Sequence, residues 1–272
     1  MVKVSVSVTT YNQEEFIAQA IASVLLQQVD FPYEIIIGDD CSTDGTSRIV
    51  DNIQRAHPQL IRVIRPPRNL GDNGRLIFVE TLKAARGKYI AMLDGDDYWL
   101  SESKLATQLA VMEADSACTM TYHNVVRVFD DGREPKPYNS PQHPQILTTD
   151  TLLQGNCVPG CSPMIRADVI SDFPPWFYTA LWGDWPMYLL ATEAGTVRYI
   201  NEILGAYRIH SGGAWNGLPE ETQMAALIIF LESLMPFFGA RHAASLQESL
   251  SLYRAKLLAL QAAAAGKATP SG

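Results

Sequence analysis

The sequence is short of cysteine, of basic residues and of long apolar runs, and each shortage excludes a class of protein. Four cysteines in 272 residues are too few for a disulfide scaffold, and no second pair or nearby histidine completes a zinc site around Cys157 and Cys161. We therefore expect free thiols in a reducing compartment. With 21 Lys and Arg against 29 Asp and Glu, the net charge is −8, which argues against a general nucleic-acid-binding face.

No stretch approaches the ~20 apolar residues of a membrane-spanning helix, and the longest apolar run, 225–231, is far shorter. The chain opens directly as the strand-like segment 2–9, without a signal-peptide pattern. We expect a soluble, cytoplasmic protein. The composition also allows peripheral attachment at the inner face of a membrane. Hydrophobic residues make up 47%, which supplies a sizeable core for one large or two small domains.

Two common phosphate-binding loops are also missing. No Gly-x-Gly-x-x-Gly follows the first predicted strand, and no lysine-bearing glycine-rich loop is present. Standard dinucleotide and P-loop sites are therefore poorly supported.

What is present over the first 95 residues is a regular alternation of strands and helices. Apolar and β-branched runs predict strands at 2–9, 33–38, 61–64 and 89–93, and apolar residues at helical spacing predict helices at 14–28, 46–57 and 74–85. Such alternation predicts an α/β fold with a mostly parallel sheet covered by helices on both faces.

The rest of the chain is less regular. We expect helices at 101–114 and 149–154, and a third that opens within 182–186 and continues to about 193. We also expect strands within 117–129, 162–166 and 197–207, a hairpin turn at 130–132 and a polar surface loop at 134–145. Helices at 220–234 and 241–261, broken at 235–239, precede a frayed tail at 262–272. These last helices either pack on the back of the domain or form a dimer or partner face, and packing is the favoured alternative.

Three carboxylates follow the strand at 89–93 within four residues: Asp94, Asp96 and Asp97. Like charges on so short a turn repel, and a divalent cation would offset them. Mg²⁺ and Mn²⁺ prefer carboxylate oxygens and are often held by one or two of them plus phosphates. The alternative is a solvated acidic turn.

The position of this turn favours the metal. Ligands of parallel sheets bind beyond the carboxyl ends of the strands. Thr10 to Asn12, Asp39-Asp40 and Asp94 to Asp97 all follow strands at such ends. We expect them to converge in one cleft that holds a metal and a nucleotide.

Asp184 lies between Trp182 and Trp185 at a predicted helix start. Apolar surroundings would raise its proton affinity and suit it to act as a general base, and the alternative is a helix N-cap. These two tryptophans and Trp176 either offer a stacking surface or belong to the core, which is the favoured alternative. His210 precedes Gly212-Gly213 and could complete a metal shell; an isolated histidine here is more often an ordinary surface residue.

In this order and spacing, the motifs resemble the inverting glycosyltransferases of family 2, with the Rossmann-like GT-A fold, over roughly residues 1–216. The motifs that carry the resemblance are Thr10-Tyr11-Asn12-Gln-Glu14, Gly-Asp39-Asp40-Cys-Ser-Thr-Asp44-Gly-Thr, Asn69-Leu-Gly71, Asp94-Gly-Asp96-Asp97-Tyr-Trp, Gly183-Asp184-Trp-Pro and Tyr-Arg-Ile-His210-Ser-Gly-Gly. One departure is Thr9, where many relatives have proline. Nothing transfers to 130–160 or to the chain after 216.

The resemblance implies a role for each matched residue. Thr10, Tyr11 and Glu14 would border the nucleotide, Asp40 would take the base, and Asp94 would approach the ribose or the metal. Asp96 would ligate Mg²⁺ or Mn²⁺, His210 would lie by the metal or the diphosphate, and Asp184 would be the catalytic base.

The resemblance also implies domains and partners. Residues 1–100 would form a nucleotide-binding half and 101–216 an acceptor-binding half of one domain. The spacing of apolar residues, and not the resemblance, predicts that 217–272 is a helical extension, which could form a homodimer. The donor would be a UDP-, GDP- or TDP-sugar. The acceptor would be a saccharide, a lipid-linked sugar, a protein or a small natural product.

Two other functions remain as alternatives. A sugar-phosphate nucleotidyltransferase also uses a metal on carboxylates, but it would release pyrophosphate and needs a basic glycine-rich loop that this chain lacks. A non-catalytic nucleotide-sugar binder would bind without turnover, and the joint presence of Asp40, Asp94, Asp96, Asp184 and His210 argues against it.

Overall fold

The computed structural model describes residues 1–170 and 172–268, with side chains through residue 264. Its strands are β1 Val4–Thr10, β2 Tyr33–Asp39, β3 Ile61–Ile64, β4 Tyr89–Asp94, β5 Tyr98–Trp99, β6 Cys118–Phe129, β7 Lys136–Pro137, β8 Ile146–Leu147, β9 Met164–Arg166 and β10 Thr196–Ile209. Its α-helices are α1 Ile17–Leu25, α2 Thr46–Ala56, α3 Arg75–Ala84, α4 Lys104–Ala114, α5 Thr149–Gln154, α6 Asp184–Ala194 and α7 Glu220–Ala268. The predicted alternation over the first 95 residues is confirmed.

Within the described residues these strands form one sheet, in the order β3-β2-β1-β4-β9-β6-β10-β5, with β7 paired to β6 and β8 to β10. The pairs β1·β2, β1·β4, β2·β3 and β6·β10 are parallel, whereas β9 and β5 run antiparallel to their neighbours. The mostly parallel α/β sheet is confirmed, with β9 reversing direction in its middle.

Helices cover both faces of this sheet, and each face has its own apolar core. One core joins β1 and β2 to α1 and α4, with Val6, Ile21 and Leu105 fully buried. The other joins β6 to α6 and α7, with Tyr122 and Phe230 fully buried. Because both faces are covered, β4 is apolar almost throughout. In β1 valines alternate with serine and threonine, and the side chains on both faces are nevertheless largely buried.

The short strands β5, β7 and β8 have no pattern in the sequence that predicts them, since each is two residues long and is defined by its partner strand. The strand β7 lies inside the predicted surface loop 134–145. The predicted turn at 130–132 does form the hairpin between β6 and β7, and Gly132 adopts a φ of 80°, which glycine reaches without steric cost.

Helix α7 reverses direction at His242, whose φ of −127° is not helical. Glu232 accepts a hydrogen bond from Arg254, and Glu221 accepts one from Gln261. In a straight helix the second pair would be about 60 Å apart at 1.5 Å per residue, so the two segments must be antiparallel. We call them the C-terminal hairpin.

The predicted break at 235–239 was therefore wrong by a few residues: Pro236 lies within the helix. Asp150 and Glu193 lie within 4 Å of the His242 ring and hold the turn against α5 and α6. Of the predicted frayed tail, 262–268 is helical, and 269–272 lies outside the described residues. The homodimer through these helices stays a prediction.

All four cysteines are free, as predicted. One helix within 220–264 is long and apolar enough to cross a membrane by length and composition alone, which the sequence run lengths did not predict. This is weak support for a membrane span, because core helices of soluble proteins meet the same criterion and this segment reverses at His242.

Candidate active site

A pocket of about 750 Å³ opens at the carboxyl ends of β1, β2 and β4. Six of the eight predicted site residues line it: Thr10, Tyr11, Asp40, Asp94, Asp96 and Asp184. The other two, Glu14 and His210, lie beside it and act through neighbours described below. The predicted convergence of three distant sequence segments in one cleft is observed.

The strand register brings these segments together. Thr9 pairs with Asp94 and Thr10 with Asp39 across β1. The Thr9 hydroxyl donates a hydrogen bond to Asp94 Oδ1 over 3.0 Å. Gly95 lies between the first two carboxylates. A Cβ at this position would lie 2.8 Å from Thr10 Oγ1, so the tight turn needs glycine.

Asp39 and Asp40 have different roles. Asp39 is fully buried, and despite that burial its hydrogen bonds with Ser42, Ser47 and Arg65 lower its pKa. Asp40 faces the pocket instead. Burial raises the pKa of Asp40, and its Oδ1 accepts a hydrogen bond from the Leu70 N–H at 2.9 Å.

Asn69 fixes the same corner by donating to the Asp40 carbonyl over 3.0 Å. The Gly71 N–H also stabilises the charged form of the Asp40 carboxylate, which lines the pocket.

Glu14 is not in the pocket lining. Its carboxylate accepts a hydrogen bond from the Gly45 N–H over 2.6 Å, and its own N–H donates to Asp44. It thus ties the loop after β1 to the loop after β2. Tyr11 lies on the pocket rim with 43% of its surface exposed.

The acidic turn divides its three carboxylates between the pocket and the core. Asp94 and Asp96 line the pocket. Burial, with the charges of Asp96 and Asp184, raises the pKa of Asp94 to about 7. Asp97 points inward, is 1% exposed and accepts the Arg208 N–H over 2.7 Å. Burial and the neighbouring carboxylates raise the pKa of Asp97 well above its ordinary value.

Replacing Asp97 with Ala should destabilise the protein by about 1–3 kcal/mol, because the buried Arg208 N–H loses its acceptor. Asp97→Asn keeps an acceptor oxygen and removes a carboxyl that burial disfavours in its charged form, so its unfolding midpoint should match the parent. Urea unfolding of both variants measures this. Equal stability of the Ala and parent proteins would contradict the inward position of Asp97.

His210 follows β10 and its Nε2 lies 3.1 Å from Asp96 Oδ2. The hydrogen bond with Asp96 raises the pKa of His210. The ring also packs against Phe16, with centroids 5.0 Å apart. His210 is therefore held beside Asp96. The resemblance implied that His210 lies by the metal or the diphosphate, and this position is compatible with that role.

Arg208 was not among the predicted site residues, although its position two residues before His210 was a signal. Its guanidinium donates to the Asp96 carbonyl and to Gln19. It also lies over the rings of Phe16 and Tyr98, at 4.9 and 4.5 Å from their centroids. Arg208 thus joins the end of β10 to the acidic turn and lines the pocket.

The residues fit a divalent cation held by few protein ligands. In the part of the chain that the structure describes, no group of three or more His, Cys, Asp or Glu side chains forms a cage. Asp96 and His210 offer one carboxylate and one imidazole side by side, in an acidic setting that also includes Asp94. This donor set suits Mg²⁺ or Mn²⁺ completed by phosphates and water.

Asp184 is the first residue of α6, and the N-cap is Gly183, so the N-cap alternative is wrong by one position. Asn156 Nδ2 lies 3.4 Å from Asp184 Oδ2. Burial raises the pKa of the Asp184 carboxyl. Asp94 is close enough to interact electrostatically with it.

The tryptophans around Asp184 are divided between core and pocket. Trp176 and Trp185 are 5% and 4% exposed and belong to the core, although Trp185 also lines the pocket. Trp182 stacks on Trp185 with centroids 5.8 Å apart, and it also lines the pocket.

Known proteins place the chain in a family. The model of glycosyl transferase family 2 matches residues 5–172. A putative teichuronic acid biosynthesis glycosyltransferase, TuaG of Bacillus subtilis (strain 168), is 34% identical over 210 residues, which cover 76% of this chain and 79% of TuaG. An uncharacterized protein of Mycobacterium tuberculosis is 32% identical over 207 residues, and the match spans 76% of this chain but 59% of that relative.

Solved structures share the fold. Staphylococcus aureus TarS 1–349, in complex with UDP-GlcNAc, matches with a TM-score of 0.69 and 21% identity over 92% of this chain and 72% of that one. Mannosyltransferase PcManGT from Pyrobaculum calidifontis, in complex with GDP-Man and Mn²⁺, matches with a TM-score of 0.60 and 16% identity over 98% and 76%. The fold is therefore that of the GT-A glycosyltransferases, and the chain belongs to glycosyltransferase family 2.

Proposed function

We propose that this protein is a metal-dependent, inverting glycosyltransferase that moves a sugar from a nucleoside-diphosphate sugar to an acceptor hydroxyl. The observation that carries the proposal is the single pocket shared by Asp40, by Asp94 and Asp96, and by Asp184. The carboxylates to which we assign the base, the cation and the acceptor proton therefore line one continuous surface.

The donor occupies the β1–β4 end in this proposal. Asp40 accepts a hydrogen bond from the base, and Thr10 and Tyr11 border the nucleoside. Glu14 holds the loop that carries them in place, because its carboxylate accepts a hydrogen bond from the Gly45 N–H. That TarS is solved with UDP-GlcNAc and PcManGT with GDP-Man supports a nucleotide sugar here without selecting the nucleotide.

Asp96 and His210 would hold Mg²⁺ or Mn²⁺, with Asp94 beside the ribose or the cation. When bound, the cation neutralises charge on the diphosphate leaving group. Arg208 keeps the two ligands adjacent, because it joins the Asp96 carbonyl to the strand that carries His210. The Mn²⁺ complex of PcManGT supports a divalent metal in this fold.

Asp184 acts as general base in this proposal. It takes the proton of the acceptor hydroxyl as the oxygen attacks the anomeric carbon on the face opposite the leaving group. Burial raises its pKa, which increases its strength as a base near neutral pH. One base and one in-line displacement invert the anomeric centre. A double displacement needs a second carboxylate as nucleophile, and in this proposal the neighbouring Asp94 serves the ribose or the cation instead.

A thermal-shift screen of the purified protein tests this proposal. It compares UDP, GDP, TDP and CDP, each with Mn²⁺, Mg²⁺ or EDTA. We expect one nucleotide to stabilise the protein only when metal is present, since a ligand at 100 times its Kd adds about 2.7 kcal/mol. Stabilisation by none of them in a folded sample would contradict the site.

Product analysis then separates this function from the alternative enzyme. A glycosyltransferase releases nucleoside diphosphate from its sugar donor. Release of pyrophosphate from a nucleoside triphosphate and a sugar phosphate would indicate the nucleotidyltransferase instead.

A further inference from the structure

Besides its carboxylates, the pocket has a part that is aromatic and apolar. Aromatic and apolar side chains form its wall: Phe78, Trp182, Trp215, Leu227 and Tyr253. We call this part the aromatic compartment.

The C-terminal hairpin supplies one side of this wall. Leu227 comes from its first segment and Tyr253 from its second, and the Tyr253 hydroxyl reaches the Gln154 carbonyl at 3.5 Å. The sequence offered two alternatives for these helices, packing on the back of the domain or forming a dimer or partner face, and neither placed them at the pocket. It packs on the domain and at the same time completes the pocket.

Trp215 stands in the loop between β10 and α7, and its position is fixed from two sides. The Gln223 amide donates to the Trp215 carbonyl over 3.0 Å. Its ring packs edge-to-face against Trp182, with centroids 4.8 Å apart and planes at 76°. Among the aromatic rings that the structure describes, only Trp182 packs against the Trp215 ring. The Trp215 indole is partly exposed and lines the pocket.

The charges around the pocket select against an anionic occupant. Its lining carries five carboxylates, those of Asp40, Asp72, Asp94, Asp96 and Asp184, and it contains no lysine. Its two guanidinium groups are engaged: Arg75 pairs with Asp72 and donates to the Ala180 carbonyl, and Arg208 is held at the acidic turn. A cation bound at Asp96 and His210 would be used to neutralise the donor diphosphate. No free positive charge of the lining would then remain for a second anion.

We propose that the aromatic compartment binds the acceptor as an uncharged sugar, its ring lying against the Trp215 indole and one hydroxyl directed at Asp184. Indole faces and the amides of Asn156 and Asn216, which also line the pocket, together match the apolar and hydroxyl-bearing faces of a pyranose. This assignment rests on the proposed function, since it names the acceptor of that reaction.

Saturation-transfer NMR with simple glycosides tests it. The probes are methyl glucoside, galactoside, mannoside and N-acetylglucosaminide, with methyl glucuronide and glucose 1-phosphate as anionic counterparts. All are added to protein holding the nucleoside diphosphate that stabilises it best together with Mg²⁺, because paramagnetic Mn²⁺ would broaden the signals of a bound probe. We expect signal from at least one neutral glycoside and none from the two anions.

Variants show whether Trp215 is the platform. Trp215→Ala should weaken neutral glycoside binding, and raise the acceptor KM in turnover, by about five- to tenfold. Trp215→Phe should restore most of the binding. Phe237→Ala is the matched control, because Phe237 is exposed and lies outside the pocket lining.

The thermal shift with nucleotide separates the two proposals. If each variant keeps that shift while no neutral glycoside binds the parent, the acceptor assignment is overturned and the proposed function stands. Preferential binding of an anionic probe, or full glycoside binding by Trp215→Ala, would also overturn it. Failure of the parent protein to bind any nucleotide would count against the proposed function itself.

Discussion

The Asp184→Asn variant is expected to lose ~10²- to 10⁴-fold in transfer rate, the usual contribution of a general base, while it binds nucleotide as the parent does. The amide cannot take the acceptor proton, but it keeps the shape of the side chain and its contact with Asn156. Rate measurements with saturating donor and acceptor, next to the nucleotide thermal shift, check both halves of the expectation.

The same variant should be at least as stable as the parent at pH 7. Folding raises the pKa of Asp184, so the folded protein holds the neutral acid more readily than the unfolded chain. Stability from this group is therefore full below the unfolded pKa and is lost as pH rises toward the folded value. A neutral amide avoids that loss.

The raised pKa also predicts the pH profile. Activity of the parent should fall on the acid side at a higher pH than an ordinary aspartate would give, because only the ionised carboxylate accepts the proton. Asp30→Asn, an exposed change in the loop before β2, is the matched control. Near-normal turnover of Asp184→Asn, or a control with the same defect, would refute the assignment.

Asp96→Asn is expected to remove the metal dependence of nucleotide binding. The variant should give the same small thermal shift with Mn²⁺ as with EDTA, because the cation loses its charged ligand and His210 loses its partner. Transfer should fall about 10²- to 10³-fold, since a Lewis acid contributes several kcal/mol to the transition state.

Titration with Mn²⁺ at fixed nucleotide measures the loss directly. Asp168→Asn is the matched control, since Asp168 is an exposed carboxylate that does not line this pocket. A metal response in Asp96→Asn as strong as in the parent would show that the cation, if bound, sits elsewhere. His210→Ala should weaken the metal response without abolishing it, since the carboxylate remains.

The donor half of the site is the part that the sequence predicts well. Parallel strands end at one edge of a sheet, so reading β1, β2 and β4 correctly was enough to bring Thr10, Asp40 and Asp94 together. The direction of individual side chains was not predictable. Asp96 and Asp97 are neighbours, yet Asp97 points inward, where it accepts the N–H of Arg208 from a strand more than 100 residues later.

The acceptor half depends on contacts that carry no local pattern. The strands β5, β7 and β8 exist because a partner lies beside them, and no period can be read from two residues. The hairpin turn at His242 is fixed by Asp150 and Glu193, which belong to other helices. Sequence spacing suggested a break at the nearby proline, and the tertiary contacts placed it elsewhere.

The C-terminal hairpin has a consequence for how this enzyme can diverge. The family model ends at residue 172, before α6, the Trp215 loop and the hairpin that wall the aromatic compartment. The Trp215 loop and the hairpin contribute no strand to the β1–β4 edge. Under the roles proposed above, changes confined to that loop and hairpin would alter the choice of acceptor, while Asp40, Asp96 and His210 continue to hold the same donor.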